Sequence, residues 1–355
     1  MPHSKHICGV SHGELSGWNT LILENDLLRV VVLPEKGSDI IEFLYKPVGL
    51  DYLWKSPFGL PAKPDMERLP HDQFMDNYEG GWQEILPSGG EASSYAGVEY
   101  GLHGESWSLP WSVSSEDCQP ALRVSVTLTG RLTMLPLVIE KRLTLKAGEA
   151  ILHVDETLTN ESDRPVEFMW GHHPALGEPF LNGDCIMDIP AVKCEGGSVA
   201  GHPAARLGCG PEYDYPIATA KDGLPIDLSV IPPPSARRCD EFWLPDIHEG
   251  WVAVTDTKRK IGFGLAWDLT VLNSLWVWQE FHGQTDPPWN GECYVMAVEP
   301  WSSYPLSGLG EAARRNTQIK LQPRGSLNTW LKAVAYEGIE RVARISDEGQ
   351  VESAG

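Results

Sequence analysis

The sequence lacks the features that mark membrane-spanning, secreted and nucleotide-binding proteins. No apolar run approaches the ~20 residues of a transmembrane helix. The first 18 residues lack the apolar core of a signal peptide. The glycine-rich patterns GxGxxG and GxxxxGK(S/T), which cradle phosphates, do not occur. The sequence therefore predicts neither a membrane protein nor a nucleotide-dependent one.

Basic residues are also scarce. The 355-residue chain has 28 Lys and Arg against 49 Asp and Glu, a formal net charge of −21. A surface with this charge repels the phosphates of nucleic acids and of anionic membranes. We therefore expect neither as a partner, and we expect a small-molecule ligand instead.

The cysteines form no recognisable framework. Their number is odd, and no CxxC pair is present that would hold zinc or a redox disulfide. Reduced thiols in a cytoplasmic protein fit this usage best. The seven cysteines are Cys8, Cys118, Cys185, Cys194, Cys209, Cys239 and Cys293.

What the sequence does contain is a strand pattern with frequent interruptions. Its 35 Gly and 28 Pro punctuate the chain too often for long helices. At 122–128, Leu and Val alternate with polar residues, which is typical of a strand with one buried face. Short helices are predicted at 64–76 and 309–315. Strands are predicted at 21–23, 27–33, 40–45, 122–128, 137–145, 151–158, 166–170, 251–255, 261–267, 275–281, 294–298, 318–321 and 329–336.

This pattern predicts an all-β fold, a large antiparallel β-sandwich with few short helices. No clear linker divides the chain. We therefore expect one domain over residues 21–340, preceded by an N-terminal segment at 1–20 and followed by a polar C-terminal tail at 341–355.

Two segments place histidines where they could do chemistry. If residues 101–107 are extended, His103, Glu105 and Trp107 share one face and suit a polyol. His172 and His173 are adjacent, so they point to opposite faces of a strand and only one enters a given cleft. Such a histidine can act as a general acid or base near neutral pH. The adjacent spacing is poor for joint metal ligation.

Two later segments carry carboxylates among tryptophans. Trp278 and Glu280 share one face of a predicted strand. Glu299 ends an apolar strand, where burial would raise its pKa toward that of a useful base. Glu280 and Glu299 could also form the carboxylate pair of a glycosidase. The 14 tryptophans either fill a core or stack on the CH faces of a pyranose.

Taken in order, these groups resemble the aldose 1-epimerase (galactose mutarotase-like) superfamily. The resemblance depends on His103-Gly104, on the run Gly-His-His-Pro-Ala-Leu-Gly at 171–177, and on the late strand ending in Glu299-Pro300. The run Gly-Gly-Trp-Gln-Glu-Ile-Leu-Pro at 80–87 is similar to the substrate-side loop of one branch of that superfamily. The likeness spans residues 21–336.

The resemblance implies a galactose mutarotase-like supersandwich with its site on a concave sheet face. The family reaction interconverts the α and β anomers of a free aldose without a cofactor. By position, Glu299 matches the general base, His172 the general acid, and His103 the second histidine, which holds the sugar. Asp240 resembles the substrate-binding Asp of the family.

The sequence therefore predicts a mutarotase, with no cofactor and no metal, acting on a free, uncharged monosaccharide. An uncharged sugar is favoured because Glu105 stands where hexose-6-phosphate mutarotases carry an Arg. His172 is assigned as the acid, with His173 as its alternative. The predicted substrate-binding residues are Gln83, Glu105, Trp107, His173, Asp240, Trp278 and Glu280.

Two other interpretations of these residues stay open. A non-catalytic carbohydrate-binding protein would use the same cleft without accelerating any reaction. A glycosidase or lyase would use Glu280 and Glu299 on a glycoside. A fold shared across a superfamily does not decide between them.

Overall fold

A computed structural model describes residues 7–63, 73–210, 212–305 and 307–355. Within these residues the regular secondary structure is almost entirely β-strand. The first strands are β1 (Gly9–Leu15), β2 (Trp18–Glu24), β3 (Leu28–Leu33), β4 (Asp39–Tyr45), β5 (Leu50–Asp51), β6 (Trp82–Ile85), β7 (Ser93–Tyr95), β8 (Val98–Tyr100), β9 (Ser112–Gln119), β10 (Arg123–Arg131), β11 (Leu137–Lys146), β12 (Ile151–Asn160), β13 (Val166–Phe168) and β14 (Gly171–Gly177).

The second half of the chain continues in the same way. It contains one described α-helix, α1 (Gly308–Arg315), which confirms the helix predicted there. The remaining strands are β15 (Cys185–Asp188), β16 (Lys193–Gly196), β17 (Glu212–Asp214), β18 (Ile217–Thr219), β19 (Pro225–Asp227), β20 (Arg238–Leu244), β21 (Trp251–Asp256), β22 (Ile261–Trp267), β23 (Ser274–Phe281), β24 (Tyr294–Trp301), β25 (Ile319–Leu321), β26 (Ser326–Glu337), β27 (Val342–Ile345) and β28 (Val351–Ser353).

Two large antiparallel sheets form the sandwich. The first has twelve strands in the order β1-β2-β3-β4-β6-β14-β24-β23-β20-β16-β17, with β5 paired to β4. The second has eight strands in the order β15-β21-β22-β26-β12-β11-β10-β9. This architecture confirms the predicted all-β sandwich. The other helix predicted, at 64–76, lies largely outside the described residues, and a 3₁₀ turn covers Met75–Asn77.

The alternating sequence pattern explains how the sheets meet. On β10, Val124, Val126 and Leu128 are fully buried and point into the space between the sheets. Phe43 of the first sheet packs edge-on against Phe263 of the second, with ring centroids 5.5 Å apart. Each buried side chain of this size contributes roughly 1.5–3 kcal/mol through the hydrophobic effect. The main core therefore lies between the two sheets.

Paired strands lie near both ends of the described chain. Strand β1 pairs residue for residue with β2 and extends the first sheet. Strands β27 and β28 form a hairpin within the region expected to be a polar tail. Val342 and Ile345 are buried beside Trp251, which gives this hairpin a small core of its own. No helix among the described residues is long and apolar enough to cross a bilayer.

A second apolar layer covers the other face of the first sheet. Strands β23 and β24 are buried on both faces. Their outward side chains include Trp276 and Trp301, which stack at 4.1 Å with rings 20° apart. This layer contains many of the tryptophans, and the candidate site lies against it.

Gly171 makes the close packing of this layer possible. A Cβ atom on Gly171 would lie 2.1 Å from Cδ2 of Trp301. Gly171→Ala should therefore overpack the layer and lower the free energy of unfolding by about 1–3 kcal/mol in urea titrations. Gly9→Ala is the matched control, since a Cβ on that strand glycine meets nothing within 4 Å. Equal stability of the two variants would contradict this packing account.

Candidate functional site

Strand register brings His173 and Glu299 side by side on the outer face of the first sheet. Residues 171 and 301 are paired, as are 175 and 297, so His173 on β14 lies beside Glu299 on β24. Gln83 is the partner of His173 on the next strand, and Trp276 is the partner of Glu299. The Nε2 atom of His173 is 3.5 Å from Oε1 of Glu299.

A pocket of about 110 Å³ opens above this pair. Most of its wall is aromatic, and Trp278 and Trp289 lie against each other with centroids 5.1 Å apart. Two carboxylates, from Glu241 and Glu299, face it. Its lining residues are Phe74, Met75, Tyr78, Leu102, His103, His173, Glu241, Trp278, Trp289 and Glu299.

Burial controls the protonation of Glu299. Its Oε2 atom accepts a hydrogen bond from Nε1 of Trp301 at 3.0 Å. Burial raises the pKa of Glu299 well above its ordinary value, and the nearby carboxylate of Glu241 acts in the same direction. The Trp301 hydrogen bond opposes this rise. Glu299 is thus a carboxyl group whose basicity exceeds that of an exposed glutamate.

Burial has the opposite effect on the pKa values of the two pocket histidines, which it lowers. Burial lowers the pKa of His173 to about 4. Burial, and then the neighbouring His173, lower the pKa of His103 well below its usual value. The His103 ring is held by the Gly90 N–H, which donates to Nδ1 at 3.2 Å. Burial therefore favours the neutral form of both imidazoles.

The structure places the side chain of His172, the predicted general acid, away from the pocket. Its side chain points between the two sheets, as strand alternation requires for the neighbour of His173. Nε1 of Trp82 donates to Nδ1 of His172 at 3.2 Å, and Nε2 lies 3.0 Å from Oε2 of Glu156. Both ring nitrogens are thus engaged in the core. The histidine on the pocket is His173, the alternative of the pair.

His172 belongs to a buried polar cluster that connects the sheets. Its donor atoms, with those of Glu84 and Glu156, all lie within 4.8 Å, a spacing that a metal ion could use. The ammonium of Lys141 is 2.9 Å from Oε2 of Glu84 and supplies positive charge at this position. Burial raises the pKa of Glu84 and of Glu156 to about 7. We call Lys141, His172, Glu84 and Glu156 the interior cluster.

The side chains of three other predicted substrate-binding residues form hydrogen bonds to protein groups away from the pocket. Glu105 accepts hydrogen bonds from the backbone N–H groups of Thr133 and Met134 at 3.0 and 2.8 Å. Gln83 donates to the Gly80 carbonyl at 2.6 Å. Trp107 is buried and donates to the Gly104 carbonyl at 3.2 Å. None of the three lines the pocket.

The local backbone explains why residues 101–107 do not present one face. The segment was expected to be extended, but His103 has a φ of +61° and Ser106–Ser108 form a 3₁₀ turn. The positive φ continues at Gly104, where a Cβ atom would lie 2.4 Å from the Leu86 carbonyl oxygen. The alternation is therefore broken, and His103 alone of the three reaches the pocket.

Asp240 and Glu280 also lie outside the pocket. Asp240 binds Nε of Arg206 at 2.5 Å through Oδ2. Oε1 of Glu280 accepts the N–H groups of Gly283 and Gln284 at 2.7 and 2.9 Å. Trp278, by contrast, lines the pocket.

Sequence reasoning missed Glu241, Tyr78, Phe74 and Trp289. Glu241 is adjacent to Asp240 on β20, so the choice between them is the same two-face ambiguity as for the histidines. Glu241 is paired with Trp278, which lines the pocket, so knowledge of the strand partners would have identified Glu241 as a pocket residue. Phe74 lies within the helix predicted at 64–76, whereas Tyr78 follows it in an irregular segment with no periodic signal.

Comparison with known proteins places this geometry in context. Residues 16–199 match the family model described as a domain of unknown function, DUF4432. No curated protein matches the chain.

Solved structures show the same fold at low sequence identity. A galactose mutarotase-like protein from Clostridium acetobutylicum has a TM-score of 0.65 at 13% identity, covering 94% of this chain and 99% of that one. A galactose mutarotase related enzyme from Lactobacillus acidophilus has a TM-score of 0.59 at 15% identity, covering 90% and 97%. The Slr1438 protein from Synechocystis has a TM-score of 0.60 at 16% identity, covering 95% and 99%. The chain has the galactose mutarotase-like fold.

Proposed function

The chain belongs to the family described as a domain of unknown function, DUF4432, and we propose that it is an aldose 1-epimerase that interconverts the α and β anomers of a free monosaccharide. The observation that carries this proposal is the contact between His173 and Glu299 at the base of an aromatic-walled pocket. The galactose mutarotase-like fold supports it.

The reaction needs two proton transfers and nothing else. Glu299, as the carboxylate, takes the proton from the anomeric hydroxyl, and His173, as the imidazolium that this neighbouring carboxylate favours, delivers one to the ring oxygen and becomes neutral. The ring opens, the C1–C2 bond rotates, and the reverse transfers close the ring as either anomer. One proton leaves the sugar and one enters it at each stage, so the chemistry calls for no cofactor.

The pocket walls suit a sugar without an acidic group. The faces of Trp278 and Trp289 can stack on the CH face of a pyranose. Carboxylates such as Glu241 and the imidazole of His103 can bind its hydroxyls. Among the described lining residues there is no Lys or Arg, so a phosphate or carboxylate on the sugar would meet like charge without a counterion. We propose an unphosphorylated aldose as substrate.

A glycosidase using Glu280 and Glu299 has less support. Oε1 of Glu280 is held by two backbone N–H groups of its own turn, and Glu280 does not line the pocket. A carbohydrate-binding protein without activity would show sugar binding but no accelerated exchange.

We also propose a cytoplasmic location, since all seven cysteines are free thiols.

NMR saturation transfer between the α and β anomeric protons tests the proposed function. The panel comprises free glucose, galactose, mannose, xylose, arabinose and fucose, with glucose 6-phosphate as the charged comparison. Accelerated exchange of at least one neutral aldose supports the proposal. Ligand binding without acceleration across the panel would indicate the binding protein instead, and release of a reducing end from glycosides would indicate the glycosidase.

A pair of histidine variants tests which imidazole acts. His173→Gln should slow exchange by about 10²–10⁴-fold, because a positioned acid contributes roughly that factor. His172→Gln should keep the exchange rate per folded molecule but lower the melting temperature, because it disturbs hydrogen bonds to Trp82 and Glu156. Circular dichroism determines the folded fraction. The reverse outcome, with His172 essential and His173 dispensable, would contradict the assignment.

A further inference from the structure

We propose that the pocket selects 6-deoxy aldoses, which carry a methyl group on C5 of the pyranose ring in place of the hydroxymethyl group of ordinary hexoses. This inference names the substrate class of the same site, and it rests on the proposed function for the orientation of the sugar. Its basis is the order of the pocket residues across the first sheet and the chemistry at each end of that order.

The pocket residues follow one another across four neighbouring strands. Strands β14, β24, β23 and β20 lie side by side in the first sheet and carry, in that order, His173, Glu299, Trp278 and Glu241. The register places His173 beside Glu299, and Glu241 opposite Trp278. The pocket therefore has a His173 end and a Glu241 end, with Glu299 between them.

Apolar side chains cover the His173 end. Phe74 is buried, and its ring centroid lies 6.1 Å from that of His173 and 4.6 Å from that of His103. Met75, the next residue, lines the pocket and is half-buried against the apolar layer. Leu102, which precedes His103 in the chain, does the same. This end of the pocket thus presents a phenyl ring, a thioether chain and an isobutyl group.

The polar groups at the His173 end already have protein partners. The Tyr78 hydroxyl oxygen lies 3.3 Å from Nδ1 of His173. Nδ1 of His103 accepts the N–H of Gly90, so the proton of the neutral His103 ring is on Nε2. That single N–H can bind one sugar oxygen, and the C4 hydroxyl, on the carbon next to C5, is present in every aldohexopyranose.

The proposed reaction orients the sugar along this order of residues. The atoms of a pyranose run from C5 through the ring oxygen to C1 and C2. Proton transfer requires the ring oxygen to face His173 and the C1 hydroxyl to face Glu299. C2 and its hydroxyl then extend toward Glu241, whose carboxylate can accept hydrogen bonds. The substituent on C5 extends the other way, into the apolar end of the pocket.

A methyl group fits this apolar end better than a hydroxymethyl group does. A hydroxyl that is buried among Phe74, Met75 and Leu102 loses its hydrogen bonds to water and gains none from these three side chains. A methyl group has no such loss and buries its apolar surface. Apolar pockets reject an added hydroxyl by up to about 10²-fold. We therefore expect kcat/KM to favour the 6-deoxy sugar by about 10- to 100-fold.

Met75→Gln tests whether this end of the pocket receives the C5 substituent. Glutamine has the length of methionine and offers an amide to a C6 hydroxyl, so the preference for the 6-deoxy sugar should fall about tenfold. Met134→Gln is the matched control, because Met134 is also half-buried on the same apolar layer but does not line the pocket. Its preference should equal that of the wild type. An unchanged preference in folded Met75→Gln would overturn the inference.

Pairs of sugars that differ only at C6 measure the preference itself. The pairs are D-fucose with D-galactose, L-fucose with L-galactose, 6-deoxy-D-glucose with D-glucose, and L-rhamnose with L-mannose. Saturation transfer gives kcat/KM for anomer exchange, and isothermal titration calorimetry gives the affinity for each sugar. In each pair that the wild type accelerates, we expect the 6-deoxy member to have the higher kcat/KM.

The outcomes separate this inference from the proposed function. Equal kcat/KM values within the accelerated pairs, or higher values for the hydroxymethyl sugars, would overturn the inference and leave the proposed function standing. If no sugar is accelerated, the proposed function fails and calorimetry decides the preference. Tighter binding of the 6-deoxy members would then support a pocket of this specificity, and equal affinity or no binding would overturn it.

Discussion

Glu299→Gln is expected to slow anomer exchange by about 10²–10⁴-fold while the protein stays folded. The amide keeps the size of the carboxylate, and its oxygen can still accept the hydrogen bond from Nε1 of Trp301. It cannot accept a proton from the anomeric hydroxyl. The measurement is saturation transfer at a fixed concentration of an aldose that the wild type accelerates, with folding checked by near-ultraviolet circular dichroism.

Glu280→Gln is the matched control for this variant. Glu280 lies on the strand next to Glu299 and is also buried, but it does not line the pocket. Its amide oxygen can still accept the N–H groups of Gly283 and Gln284. Exchange should therefore persist at close to the wild-type rate. Full activity in Glu299→Gln would show that Glu299 is not the general base. Equal loss of activity in both variants would favour a mechanism that uses both carboxylates.

Lys141→Met should lower the free energy of unfolding by about 3–5 kcal/mol. The Lys141 ammonium lies in the interior cluster, 2.9 Å from Oε2 of Glu84 and 4.7 Å from the ring centroid of Trp111. Methionine fills a similar volume but leaves the two glutamates without their counterion. Removing one partner of a buried ion pair is strongly destabilising, because the remaining charge has lost its solvent and its partner. Urea titrations measure the change.

The loss should also depend on pH. Lys141 lowers the pKa of Glu84, which burial holds at about 7. Without the lysine, that pKa rises further above its unfolded-state value. A carboxyl with a raised folded-state pKa contributes stability at low pH and loses it as pH rises through that value. The Lys141→Met penalty should therefore be smaller at pH 5.5 than at pH 8.

Lys146→Met is the control for this pair of measurements. Lys146 lies on the same strand, but its side chain is 44% exposed and its distance to the Glu149 carboxylate is 3.7 Å. An exposed pair of this kind contributes little, so its stability should stay within about 0.5 kcal/mol of the wild type. If Lys141→Met were as stable as Lys146→Met at both pH values, the interior cluster would not hold the sheets together as described.

The positions of the strands could be predicted from the sequence, but the face of each strand that carries the site could not. Alternation at 122–128 predicted a strand with one buried face, and Val124, Val126 and Leu128 do face the core. Alternation also separates His172 from His173, but it does not say which face of the sheet carries the pocket. That choice depends on the register with β6 and β24, which local sequence does not encode.

Irregular segments limited the prediction of the site in a different way. Glu105 was expected on the same face as His103, but a positive φ and a 3₁₀ turn redirect it to the N–H groups of Thr133 and Met134. Tyr78 reaches His173 from a segment that follows no period of two or 3.6 residues. Such contacts are set by tertiary packing, so composition and periodicity carry no signal for them.

The most direct test of the account is the rate of exchange between the anomers of a free aldose, measured by NMR saturation transfer with wild-type protein, His173→Gln and His172→Gln side by side. We predict acceleration by the wild type and by folded His172→Gln, and loss of acceleration in His173→Gln. A folded wild-type protein that accelerates the exchange of no aldose would contradict the proposal that the His173–Glu299 pocket catalyses mutarotation.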